Sequence, residues 1–308
     1  MSSVLITGGA GAIGSRLALK LLQDGHKVIV LDDLSSGFRD LVPEGAIFHL
    51  GSVENDRCLK ISFGHRPHYV LHLAALFANQ NSVENPEQDL SVNGMGTLKV
   101  LRFCSEYGIK KMVFVSSSCV YGQEEMDEGV KKLDPRTPYA MTKWLGEQYC
   151  QFWADQRGMD VSIARLFNNY GPGEYPGKFR NVIPNFFEKA MLGQPLTITG
   201  TGEETRDFNF VDDTVQGIVK CLWENTGKGE VFNIARGEET KILELAEKIN
   251  ALVGNKAGIE FKPPRDWDHV KKRRGNIEKA RRVLGYSPST PLDKGLEQTF
   301  AWISRVLK

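Results

Sequence analysis

Tyr139-Ala140-Met141-Thr142-Lys143 sets a phenol and an ammonium four residues apart, a spacing that brings both onto one face of a helix. Thr137-Pro138 just before it has the form of an N-cap followed by proline at the first helical position. A nearby cation favours the phenolate and lowers a tyrosine pKa. Without such help a phenol, at about 10, is a poor base near neutral pH. The chemistry open to this pair is removal of a proton from a hydroxyl group. A second set of polar groups stands in Val115-Ser116-Ser117-Ser118-Cys119-Val120-Tyr121-Gly122, at the end of an apolar run. Hydroxyls at the carboxyl end of a central strand point into a ligand crevice, although any one of them could instead cap a turn.

A third segment, Thr7-Gly8-Gly9-Ala10-Gly11-Ala12-Ile13-Gly14, follows one apolar run and opens a helical pattern. In that context small residues let the backbone turn tightly and approach a pyrophosphate, which the free N–H groups of a helix start stabilise. About 20 residues on, a second run ends in Leu31-Asp32-Asp33. A carboxylate there accepts from the adenosine ribose hydroxyls and repels a 2′-phosphate, so NAD is favoured over NADP. Asp32 takes that role and Asp33 is expected to face solvent.

These groups need a scaffold. Val4–Ile6, Val28–Leu31, Val70–Leu73, Met112–Val115 and Val161–Ala164 are short runs rich in Val, Ile and Leu, as in strands buried on both faces of a parallel sheet. Helical patterns lie between them. Repetition of strand, helix and strand predicts an α/β fold, a doubly wound parallel Rossmann sheet. The second half is less regular: a turn-rich loop at 171–177, then helices near Val182–Leu192, Asp213–Trp223, Leu243–Leu252 and Leu292–Val306. The expected division is an NAD-binding domain of residues 1–165 with roughly 205–235. A smaller C-terminal α/β substrate-binding domain takes roughly 166–204 and 236–308.

The chain has 308 residues, 39 basic against 38 acidic, for a formal net charge of +1. That balance lacks the basic excess of a nucleic-acid binder. The run Lys271-Lys272-Arg273-Arg274 is short and isolated, and reads as a solvated face with Arg273 available as a phosphate contact. No apolar stretch approaches the ~20 residues of a membrane span. Five scattered cysteines without a CxxC pair argue against a disulfide framework and against thiolate zinc. His65, His68 and His72 do not converge convincingly, so no metal is expected, and the expected location is the cytoplasm.

Together these segments resemble the extended short-chain dehydrogenase/reductase superfamily, in its nucleotide-sugar epimerase/dehydratase branch, with UDP-glucose 4-epimerases as the nearest type. The resemblance takes in the glycine loop, His72-Leu73-Ala74-Ala75, Asn93 with Gly96-Thr97, the Ser116–Gly122 segment and Tyr139/Lys143. It continues through Arg165–Pro172, Arg206-Asp207-Phe208, Val211-Asp212-Asp213 and the tail from Lys279 to Tyr286. It implies that Tyr139 is the base, Lys143 its tuning partner and ribose ligand, and Ser117 the hydroxyl that bonds the sugar oxygen being oxidised. It further implies NAD contacts from Gly8, Gly11, Ala12, Ile13, Gly14, Asp32, Leu73, Ala74, Ala75 and Asn93. Ser118 and Cys119 would face the sugar, and Asn168, Arg206 and Arg265 its diphosphate. Relatives pair two long helices, here roughly Gln88–Tyr107 and Tyr139–Arg157, across a two-fold axis, which implies a homodimer.

The sequence departs from the pattern in three places. Gly51-Ser52 replaces the Gly-Asp that holds adenine, so that Ser52 or the Val53 backbone must substitute or the adenine is held less directly. Ser118-Cys119 replaces the Asp-Glu pair of 4,6-dehydratases, and Phe77 stands where the best-known UDP-galactose 4-epimerases carry lysine. Cys119 is open to two readings, an acid or base in the cleft or a small buried hydrophobe. The leading expectation is an NAD-dependent epimerase acting through transient oxidation at sugar C4. The alternatives are a dehydrogenase, reductase or dehydratase of the same family, or an inactive NAD-sensing binder.

Overall fold

Val4, Leu5 and Ile6 are all fully buried, and so are Val28 to Leu31 and Val161 with Ile163 and Ala164. A strand apolar on both faces must lie inside a sheet covered on both sides, and the computed structural model has that architecture. It describes residues 1–77, 79–123, 126–130, 132–268 and 270–307. In chain order the elements begin β1 (Ser3–Thr7), α1 (Ala12–Gln23), β2 (Lys27–Asp32), β3 (Ile47–Leu50), α2 (Asp56–Gly64) and β4 (Tyr69–His72). They continue with α3 (Asn79–Glu84), α4 (Pro86–Asp89), α5 (Gly96–Glu106), β5 (Lys111–Ser117), α6 (Pro138–Arg157), β6 (Val161–Leu166) and β7 (Asn168–Tyr170). After these come α7 (Val182–Met191), β8 (Leu196–Thr199), β9 (Thr205–Arg206), β10 (Phe208–Phe210), α8 (Val211–Trp223) and β11 (Glu230–Ile234). The chain closes with β12 (Thr240–Lys241), α9 (Ile242–Val253), β13 (Ile259–Lys262), α10 (Glu278–Leu284) and α11 (Leu292–Val306).

Among the described residues the main sheet has seven strands in the order β11-β6-β5-β4-β1-β2-β3, parallel at every pairing. One face buries Leu17, Leu21 and Ile218 of α1 and α8 against Val4, Val30 and Val113. The other buries Leu59, Leu101 and Cys150 of α2, α5 and α6 against Leu5, Val70 and Ile163. Burying one such aliphatic side chain is worth about 1.5–3 kcal/mol. The strand order reverses between β1 and β4, and in open α/β sheets ligands sit at that switch, beyond the carboxyl ends of the strands.

All five apolar runs became sheet strands. The two outermost strands, β3 and β11, lacked that signal. As edge strands they are flanked on one side only, and β3 is half-buried to exposed along its length. The long helix expected near Gln88–Tyr107 is continuous from α4 to α5 but passes through a π-helical turn at Leu90–Met95. Over the carboxyl edge α7, α9 and α11 enclose a separate core of Phe186, Phe187, Leu245, Ile249, Leu296 and Ile303. Three two-stranded pairings, β10 with β7, β12 with β9 and β13 with β8, complete this part.

Candidate active site

The glycine loop lies where β1 turns into α1. Gly8 has a φ of +73°, and a Cβ there would stand 2.6 Å from the Ala74 backbone nitrogen. A Cβ on Gly14 would stand 2.2 Å from the Gly8 carbonyl, so the strand, loop and helix close up only without side chains. Gly11 is the N-cap residue of α1 and supplies no side-chain cap. The first helical N–H groups are thus left for a ligand anion. Gly8, Gly11, Ala12, Ile13 and Gly14 all line a cleft of about 290 Å³.

Asp32 lines the same cleft and is buried. Its carboxylate accepts from the Ala10 N–H at 2.9 Å and the Leu34 N–H at 2.8 Å. Burial raises its pKa despite those two bonds. Asp33 is exposed and caps its own turn through Ser35, at 2.6 Å to the hydroxyl and 2.9 Å to the N–H. Ser52, Val53, Leu73, Ala74 and Ala75 also line the cleft. Asn93 does not reach it. Its amide instead grips the backbone of Leu76, accepting from the N–H at 2.7 Å and donating to the carbonyl at 3.2 Å. His72 is buried between the Thr7 and Thr97 hydroxyls at 2.7 and 3.0 Å. Burial pushes its pKa down to about 3, so it is neutral. His65 meets His49 at 2.8 Å, whereas the partners of His72 are Thr7 and Thr97.

The Thr137 hydroxyl accepts from the Ala140 N–H at 3.2 Å and donates to Asn79 at 2.7 Å, which fixes the start of α6. Tyr139 and Lys143 then both face the cleft opposite Ser117. Burial raises the Tyr139 phenol, the Cys119 and Asp89 charges raise it further, and the Ser117 hydroxyl opposes them. Lys143 donates to the Val115 carbonyl at 2.8 Å and lies 5.8 Å from the Tyr139 ring centre. Burial lowers its pKa to about 8. The sequence reading expects the cation to lower the phenol. In the free protein burial outweighs it, and the ammonium is engaged by a strand carbonyl.

Ser118 and Cys119 follow Ser117 along the wall, and Asn168 faces them from β7. The Cys119 sulfur accepts from Asn79 at 3.4 Å and from Arg273 at 3.5 Å. Burial pushes this thiol up, but the guanidinium and these bonds more than offset that and hold it below the usual thiol range. Arg206 and Arg265 lie outside the first cleft, in a larger adjoining cavity of about 1320 Å³ that shares Asn168 and Arg273 with it. There Arg206 pairs with Asp268 at 3.1 Å, and Arg265 lies over the Trp267 ring. Asn168, Asn169, Glu174 and Arg273 each hold a buried polar atom with no partner, and all four line the first cleft. A glycine cradle at a helix start and unpaired polar atoms around it suit a dinucleotide beside a polar second ligand.

Glu174, Arg180, Asn181 and Asn79 are cleft residues that the sequence reading did not select. The first three belong to the loop after β7, where Gly173 packs on α1 with its Cβ position 3.3 Å from the Ala12 Cα. The Gly171–Gly177 glycines announced a turn, but nothing local announced that Glu174 points inward.

Fold and site together define a dinucleotide-dependent enzyme that handles a hydroxyl-bearing substrate. Residues 4–235 match the NAD dependent epimerase/dehydratase family, and the chain belongs to that family. A solved epimerase from Methanothermobacter thermautotrophicus superposes with a TM-score of 0.96 at 44% identity, covering 99% of this chain and 93% of that one. A UDP-glucose 4-epimerase of Mycolicibacterium smegmatis is 35% identical, with 96% of each chain covered. UDP-glucuronic acid decarboxylase 1 of Danio rerio is also 35% identical, over 99% of this chain and 73% of that protein. The protein is therefore an NAD-dependent enzyme of the nucleotide-sugar epimerase/dehydratase family.

Proposed function

We propose that the protein is a nucleotide-sugar epimerase acting through transient oxidation at sugar C4. One observation carries the reading: Ser117, Tyr139 and Lys143 line one cleft with the glycine loop and Asp32. NAD supplies the hydride acceptor when bound. Tyr139 takes the proton from the C4 hydroxyl and returns it at the end of the cycle. Ser117 bonds the same oxygen as it becomes a carbonyl, and Lys143 holds positive charge beside the phenol. Asn168, Arg206 and Arg265 suit the diphosphate, Arg206 and Arg265 in the larger cavity, with arginine forks matched to phosphate oxygens. Ser118-Cys119 offers no carboxylate pair for dehydration.

The keto sugar must turn over inside the site before hydride returns to its other face. Incubation with substrate in deuterium oxide tests this. Epimerisation by direct return leaves the product C4 hydrogen unexchanged and no net NADH. Deuterium at C5, an accumulating keto sugar or stoichiometric NADH would overturn it.

A homodimer is part of the same reading. Met95 on the helix leading into α5 and Met141, Trp144 and Phe152 on α6 are 40–50% exposed, an apolar stripe suited to a two-fold helical interface. The five cysteines are free thiols, which suits a reducing compartment, the cytoplasm. The separate core of α7, α9 and α11 supports the assignment of residues 1–165 with roughly 205–235 to the cofactor, and the remainder to the substrate.

A further inference from the structure

Two buried arginines, Arg165 and Arg273, and the half-buried Arg206 differ in how their charge is met. Arg165 on β6 is held by Glu147 through two bonds of 2.9 and 2.7 Å. Arg206 has Asp268 at 3.1 Å. Arg273 is only 8% exposed, yet among the described residues no carboxylate pairs with it. Its one hydrogen-bond partner there is the Cys119 sulfur at 3.5 Å, and its buried Nε has none. Buried charges are ordinarily paired, because desolvation without a counter-charge is costly. Burial, and then the neighbouring Arg273, hold the Arg206 guanidinium below its usual range. Among the described residues the site therefore carries positive charge at Arg273 that no carboxylate balances.

We propose that a carboxylate of the substrate sugar balances it: the enzyme takes a nucleotide-diphosphate-activated sugar acid, and Arg273 holds the C6 carboxylate. This rests on the nucleotide-sugar reading above and adds the class of sugar. The Arg273 guanidinium meets Cys119, two residues past Ser117, and Asn79 reaches the same sulfur at 3.4 Å. Asn79 in turn accepts from Thr137, the cap of the helix that carries Tyr139. Arg273 thus lies where the two cavities meet, beside Ser117 and Cys119 of the first cleft, whereas Arg265, Lys271 and Lys272 line only the larger cavity suited to the diphosphate. In a hexopyranose oxidised at C4, the neighbouring exocyclic carbon is C6 on C5. A carboxylate there matches the two-pronged guanidinium fork.

Cys119 fits the same account. An aspartate or glutamate at 119 would neutralise Arg273 permanently and repel an acidic sugar. A thiol leaves the guanidinium without a fixed counter-charge, its sulfur accepting only the 3.5 Å hydrogen bond.

The test compares UDP-glucuronic acid with UDP-glucose on the NAD-loaded full-length protein, with affinity read by calorimetry and products by NMR. The acid should bind at least tenfold tighter. Arg273→Met should collapse that ratio, and Arg273→Lys should restore part of it. Cys119→Asp, which places a fixed negative charge beside the guanidinium, should collapse the ratio independently if Arg273→Met fails to fold. A ratio in favour of UDP-glucose, or one unchanged by these substitutions, overturns the proposal and assigns Arg273 to the diphosphate shared by both ligands. Products separate the two readings. Tight acid binding with release of carbon dioxide would uphold the acidic substrate and overturn epimerisation. Epimerised UDP-glucose with weak acid binding would do the reverse.

Discussion

The Lys143 ammonium lies 5.8 Å from the centre of the Tyr139 ring and donates its 2.8 Å hydrogen bond to the Val115 carbonyl instead of to the phenol. The lysine is therefore pinned to the end of β5, two residues before Ser117, and its charge is set beside the tyrosine without neutralising it. Burial meanwhile raises the phenol, so the free protein holds Tyr139 protonated. The base form must be favoured by the ligands that enter the cleft.

Tyr139→Phe removes the proton acceptor and leaves the ring and its packing against Phe77 in place. Turnover should fall by at least ~100-fold, the usual scale for loss of a general base, with NAD affinity little changed. Turnover near that of the wild type would remove Tyr139 from the chemistry.

Lys143 gives a pH signature. Burial lowers its pKa to about 8, so the ammonium is charged below that pH and neutral above it. If its charge supports the phenolate, kcat/KM should fall as pH rises through about 8. Lys143→Arg keeps its charge throughout and should move that limb upward, even if the absolute rate is lower. An alkaline limb at the same pH in both proteins would belong to another group.

Sequence legibility followed locality. Thr137, Pro138, Tyr139 and Lys143 were readable because cap, first turn and four-residue spacing lie within one helix start, and the glycine loop was readable for the same reason. Asn93 shows where this fails. It lies in a π-helical turn, whose extra residue rotates the facing of the later helical positions, and its amide serves the Leu76 backbone. Arg273 and Glu174 become site residues only through tertiary contacts. Asp207, buried and accepting from Gly275 N–H at 3.0 Å, ties down the segment two residues past Arg273, and no spacing rule connects those positions.

Asp32 should set the cofactor preference. Its carboxylate also holds Ala10 and Leu34 of the adjoining loops, so Asp32→Ala removes structure as well as charge, at about 1–3 kcal/mol for buried donors left unsatisfied. Asp32→Asn is the cleaner variant, since its amide can still accept one of those bonds. Both should narrow the ratio of NADP to NAD dissociation constants. A wild type that binds the two equally would rule out this role.

Light scattering should report a particle of twice the 34.4 kDa chain mass at micromolar concentration. Trp144→Glu places a charge in the middle of the exposed stripe on α6 and should shift the particle toward one chain. A wild-type protein that is monomeric under these conditions would leave the stripe without this explanation.

Glu174 should make NAD binding depend on pH in a direction that can be worked out. Burial raises its pKa to about 7, although the Asn181 N–H and side chain and the Arg180 guanidinium oppose the rise. One carboxyl oxygen is buried without a partner. The residue follows Gly173, which packs against Ala12 at the start of α1, where the dinucleotide diphosphate would meet the helix N–H groups. Below pH 7 the side chain is a neutral acid that an anion tolerates and to which it can donate a hydrogen bond. Above that pH it is a carboxylate facing like charge. NAD affinity should therefore weaken several-fold between pH 6 and 8, on the scale of one partly screened charge contact. Glu174→Gln, neutral throughout, should bind with a nearly flat profile close to the wild-type affinity at the acidic end. Calorimetric titration of both proteins at the two pH values measures it. Parallel profiles would show that Glu174 does not face the cofactor.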